Sequence, residues 1–128
     1  MANPTALTLT LLIANAALAQ PAADAIDTNG TLALAVPNGE TDRVVLEVNN
    51  TDDAALTVTV KSGAASAGAV RGAIGDLAVS IPAGAVRIIG PFESARFQQA
   101  GGGLSVQFQA ATGAPAASVR AYQLPKSA

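Results

Sequence analysis

At 128 residues the chain is one domain's length, enough to bury about two thirds of its unfolded surface without metal or disulfide support. It contains no cysteine and no histidine, which excludes a disulfide framework, zinc sites of the usual kind and nucleophilic catalysis that leans on an imidazole. Net charge is −2, and the seven basic residues are scattered from Arg43 to Lys126, leaving no stripe to neutralise nucleic-acid phosphates.

The first run, "LTLTLLI", alternates polar and apolar residues, with Leu7, Leu9, Leu11 and Ile13 on one face. A half-buried strand is expected, each leucine contributing on the order of 1.5–3 kcal/mol, so that its loss would unfold the domain. The same stretch, ending in "ALAQPA", also has the apolar content and small-residue end of a secretory signal over residues 1–19. A signal needs a basic start, and the first basic residue is Arg43, so retention as a strand is the expectation. No run reaches the roughly 20 apolar residues of a membrane span.

Further β-rich runs follow between Gly, Pro, Asn and Asp. "TLALAV" (Thr31–Val36) lies between "TNG" and "PNG", both turn signals. "RVVLEV" (Arg43–Val48) and "LTVTVK" (Leu56–Lys61) are separated only by "NNTDD" and the alanines after it, which predicts hairpin neighbours. Residues 62–76, "SGAASAGAVRGAIGD", have too many glycines for a helix and read as a long adaptable loop. "LAVSI" and "AVRIIG", joined by "PAG", predict a second hairpin. "GPFESARF" reads as a corner in which Phe92 closes the core and Arg96 pairs with Glu93. "LSVQFQA" alternates strictly, with Leu104, Val106 and Phe108 inward. In "SVRAYQL", Val119, Ala121 and Gln123 oppose Arg120, Tyr122 and Leu124.

About eight or nine short strands with turn chemistry between them predict an all-β fold. The expected form is an antiparallel two-sheet sandwich, jelly-roll or immunoglobulin-like, as a single domain over 1–128. It would carry a short N-terminal arm (1–6) and a C-terminal tail (125–128).

Chemistry is sparse. No S-x-x-K motif is present, and the carboxylates that could form a pair, Asp24, Asp27 and Glu93 among them, fall mostly in turns where aspartate bonds locally. "DAIDTNG" spaces oxygen ligands somewhat as a calcium loop does, but lacks the EF-hand pattern and its distal glutamate, so a turn is expected. The expectation is no enzyme, no cofactor and no metal. With aromatics so few, and mostly at core positions, neither a sugar-binding platform nor base stacking is expected.

The segments "LTLTLLIANAALA", "VVLEVNNTDDAALTVTVKSG" and "GDLAVSIPAGAVRIIGPFESARFQQAGGGLSVQF" together resemble small β-sandwich structural proteins of tailed-phage particles. The resemblance lies in strand order and the "IPAG…GPFESARF" corner, over roughly Leu7 to Leu124. It implies a virion component, foremost a head decoration or minor capsid protein that cements the shell from outside. Such a protein is made in the host cytoplasm without a cleaved signal and resides on the phage head; tail-tube and collar roles belong to the same class. Implied partners are the major capsid protein or other virion proteins, including copies of itself, and neither nucleic acid nor membrane. Candidate contact residues are Asn3 and Pro4 in the arm, Val70 and Arg71 in the long loop, Glu93 and Arg96 at the corner, and Lys126 in the tail. The alternative is an exported or cell-surface sandwich that binds a protein or glycan.

Overall fold

The computed structural model describes residues 3–4, 6–13, 15–63 and 74–125. Among them are nine strands: β1 (Leu9–Leu11), β2 (Asp24–Ile26), β3 (Gly30–Leu34), β4 (Val44–Asn50), β5 (Leu56–Val60), β6 (Leu77–Ile81), β7 (Val86–Ile89), β8 (Leu104–Ala110) and β9 (Ala117–Gln123). A four-residue helix, α1 (Ser94–Phe97), precedes β8.

Two sheets form, and they make the anticipated sandwich. One runs β1–β9–β4–β7, with β2 sharing the β1 edge of β9; the other runs β3–β8–β5–β6. The pairs β5·β6, β4·β7, β3·β8 and β2·β9 are all antiparallel. They nest inside one another, as if the chain were one long two-stranded ribbon folded at the β5–β6 connection. Rolling that ribbon brings β4 against β9 and β5 against β8. Of the two topologies anticipated, this order is the jelly roll.

Burial follows the two-residue period of each long strand. β4, β8 and β9 alternate between buried and partly exposed positions along most or all of their length. Val44, Leu46, Val48 and Val119 face Val58, Val60, Leu104, Val106 and Phe108 across the sandwich, none more than 2% exposed. The aromatic plug anticipated at the corner is present. Phe92 is fully buried and meets Phe97 edge-to-face at 5.8 Å. Gly90, which precedes a cis Gly90–Pro91 bond, holds φ at +119°, and a Cβ there would lie 2.7 Å from the Val44 carbonyl. Only glycine fits that approach.

Neither expected hairpin forms. β4 and β5 lie in opposite sheets, as do β6 and β7. Their inward faces oppose each other, so each short connection crosses the roughly 10 Å between layers instead of turning back within one. Asn50, 1% exposed, ties both crossings together. Its Nδ2 donates to the carbonyls of Ala54, Ile81 and Pro82 at 2.9, 3.1 and 3.2 Å, its Oδ1 accepts the Asp52 amide, and its own amide donates to Ala85.

The first strand is also shorter and less buried than its leucines suggest. Leu7 is buried, Leu9 half-buried, and Leu11 and Ile13 are 54% and 66% exposed. The segment is a lace between the two sheets. The Leu7 amide donates to Ala33 on the edge of the four-stranded sheet, and β1 then pairs parallel with β9 of the other. Only the crossing point lies over the core. After Leu11 the segment runs past the end of β9, where Ile13 has no facing layer. The expectation that all four aliphatics anchor the fold is therefore corrected to Leu7, with Leu9 in support.

Phe92→Ala is expected to destabilise the domain by about 3–5 kcal/mol, and Asn50→Ala by about 2–3 kcal/mol through its stranded carbonyls. Ile13→Ala should change little. Denaturant midpoints at constant slope would measure all three.

Candidate interaction surfaces

The anticipated contact residues divide into three groups. Val70, Arg71 and Lys126 lie outside the described residues. Asn3 is committed within the chain: its Oδ1 accepts the amides of Asp27 and Thr28 at 2.9 and 3.0 Å, and its Nδ2 donates to the Thr28 carbonyl. Pro4 beside it is half-buried. The described part of the N-terminal arm is thus pinned to the β2–β3 turn. The expected turn at "DAIDTNG" is confined to residues 27–29; Asp24–Ile26 form β2, and the Asp24 carboxylate accepts the backbone amide and hydroxyl of Thr8. No group of three or more Asp or Glu side chains that could hold a metal occurs among the described residues.

Glu93 is the N-cap residue of α1 and Arg96 lies within its single turn. The Glu93 carbonyl accepts the amides of Arg96 and Phe97. The Arg96 guanidinium stacks over the Phe97 ring, 4.6 Å from its centroid, and donates to the Gly75 and Asp76 carbonyls. Its backbone carbonyl accepts the Gly63 amide at 2.7 Å. The corner therefore ties Gly63 to Gly75 and Asp76, and Gln99 adds bonds to the Lys61 and Ser62 carbonyls; residues 64–73, most of the expected loop, lie outside the described residues. Sequence reasoning singled out the corner and the 62–76 stretch separately; the fold joins the corner to the described ends of that stretch.

Asp76 ties the same ends together. Its carboxylate accepts the Ser62 amide at 2.7 Å and stands 3.5 Å from the Lys61 ammonium. The Ser62 backbone bond, opposed by desolvation and helped by the Ser62 hydroxyl and Lys61, holds its pKa below the ordinary 3.8.

Two surface regions that carry exposed aliphatic side chains were not anticipated. At the end of the sandwich, Leu9 and Leu11 line a cleft of about 370 Å³ with Ala35, Val36, Pro37 and Gly101. Ala35 and Gly101 also line an adjoining cleft of about 480 Å³ along the end of β3. Ile13 and Leu124 are exposed as well.

The second region is the outer face of the five-stranded sheet. Its centre carries the cross-strand neighbours Glu47 and Arg120, and beside them Val45 faces Tyr122. Edge strand β7 adds Val86 and Ile88, 47% and 72% exposed.

No family model matches the chain, and no curated protein or solved structure matches it significantly. Function must therefore be argued from these surfaces. The alternating runs "RVVLEV" and "SVRAYQL" did carry the outward positions of Glu47 and Arg120. Their adjacency needed the β4–β9 register. The exposure of Ile88 needed β7 to be an edge. No helix among the described residues is long and apolar enough to cross a membrane.

Asp76→Asn is expected to lower stability at neutral pH. A folded-state pKa below the unfolded one means that the ionised carboxylate stabilises the fold above the unfolded value, and that this is lost as pH falls through the folded value. The gap between wild type and variant should therefore close in acid below the ordinary carboxylate range, as pH-dependent denaturant melts would read.

Proposed function

We propose that this protein is a structural assembly subunit that works through protein–protein contact, with the head-decoration role of tailed-phage particles as its specific form. The observation that carries this reading is the apolar cleft lined by Leu9, Leu11, Val36 and Pro37 at the end of a rigid sandwich. Exposed Leu11 and Ile13 continue it. Aliphatic side chains held in water by a stable framework mark a docking region, and the core does not require them.

Physical considerations favour the same class. Charged residues make up 12% of the chain, so docking desolvates few charges. Several of the described polar side chains, including Asn3, Asp24, Asn50, Arg96 and Gln99, are engaged in holding the fold. A shell-binding protein needs a stiff body with apolar contact points, and its single contacts can be weak, because many copies act together on a symmetric lattice.

Mixing the protein with purified expanded phage capsids is expected to give saturable binding. Leu11→Asp together with Ile13→Asp should weaken that binding about tenfold or more while the melting temperature stays near wild type. Absence of binding to any head or tail preparation would sink the proposal.

A further inference from the structure

We infer that the outer face of the five-stranded sheet is a self-docking surface whose occupant is a second copy of this chain, stacked face to face about a two-fold axis that runs along the strands between β4 and β9. This deepens the assembly reading by naming one partner, and rests on it.

Glu47 and Arg120 sit opposite each other at the centre of the face, on neighbouring strands. They are only loosely joined: Arg120 Nη1 is 3.8 Å from Glu47 Oε1, an oxygen that is itself shielded from solvent and accepts no hydrogen bond, and the two side chains remain 22% and 28% exposed on the face. A two-fold axis parallel to the strands lays β4 of one copy over β9 of the other. Glu47 then meets Arg120 of the second copy, and the reverse pair forms at the same time. A two-fold axis across the strands would instead stack Glu47 on Glu47 and Arg120 on Arg120, which like-charge repulsion disfavours. The charge pattern therefore selects one operator.

The same operator matches the surrounding rows. Val45 is level with Tyr122, and Asn49 with Ser118. Across the axis, therefore, Val45 covers Tyr122 of the second copy and Asn49 covers its Ser118. Farther out, Val86 is level with Asn49, and Ala25 with Ser118, so Val86 covers Ala25 of the second copy. Ile88, level with Glu47, covers the chain near Pro21, whose carbonyl accepts the Arg120 Nε. Apolar groups meet apolar groups, and the 72% exposed Ile88 gains cover.

Four strand widths of about 4.8 Å by seven residues of about 3.3 Å give roughly 450 Å² of flat face per copy. That is an upper bound, about 900 Å² for the pair, below the range of stable complexes and in that of transient ones, which suits a weak, concentration-dependent dimer.

Sedimentation velocity on the full chain tests this. Wild type should shift from monomer to dimer with rising concentration. Glu47→Arg leaves two cations on the face and Arg120→Glu leaves two anions, so each variant alone should associate at least about tenfold more weakly. An equimolar mixture of the two should recover dimer, because every cross-copy contact again pairs opposite signs. Loss of the contact within one chain could not be repaired by mixing. Ile88→Lys, on an exposed edge, keeps the fold and should also weaken the dimer. The inference is overturned by a wild type that stays monomeric at all concentrations, by a mixture that does not associate, or by Ile88→Lys dimerising like wild type. A wild-type monomer that still binds expanded capsids would overturn the second copy alone and leave the assembly reading standing.

Discussion

The seven-residue ladder between β4 and β9 is the pairing on which the rest of the structure depends. It runs unbroken from Val44 opposite Gln123 to Asn50 opposite Ala117. Its inward side supplies Val44, Leu46, Val48, Val119 and Ala121 to the core. Its outward side brings Glu47 beside Arg120. Both flanks of the ladder are occupied, by β7 beyond β4 and by β1 and β2 beyond β9. A shift of one residue would turn every buried aliphatic outward, so the alternation of two distant segments fixes the register. Asn50, the last residue of the β4 side, then binds the two intersheet crossings. The end of the ladder and the corners of the sandwich are thereby one construction.

Much of the fold is legible in local sequence, because burial in a sandwich has a period of two and the runs "RVVLEV", "LTVTV", "LSVQFQA" and "SVRAYQ" keep it. Those runs appear as strands, and "LSVQFQA" turns its expected face, Leu104, Val106 and Phe108, inward. Pairing is a different matter. The segments before and after "NNTDD" look like a hairpin, since a short connection usually joins sheet neighbours. What decides otherwise is that their buried faces oppose each other across the core, a property of the whole roll. The opening leucines mislead for a related reason. Alternation reports a possible buried face, but Leu11 and Ile13 find no layer opposite them at the end of β9.

The candidate contacts show the same division. Polar residues picked from loops, Asn3 and Arg96, turn out to hold the body together, because a small charge-poor domain uses its few polar side chains to satisfy backbone groups at corners. The surfaces left for partners carry exposed aliphatics on strands, Leu11 at the cleft and Val86 and Ile88 beside the Glu47–Arg120 pair. In sequence these residues are indistinguishable from core. A docking surface with such a composition becomes visible only once the strand order identifies the faces and edges that the fold leaves uncovered.

The nested ribbon has a consequence for synthesis on the ribosome. Innermost β5·β6 joins residues close in the chain, while β1, β2 and β4 all find their partner in β9, the last of the strands to emerge. The four-stranded sheet can be completed once β8 has left the exit tunnel. The five-stranded sheet cannot, because its central strand is still missing. Until Ala117–Gln123 is translated, β1 and β2 wait without a sheet partner and β4 has only β7 beside it, so a chain stalled there would present unpaired β segments to whatever it meets. Placing the hub of one layer at the end of the strand order makes its closure an all-or-nothing event tied to completion of the domain.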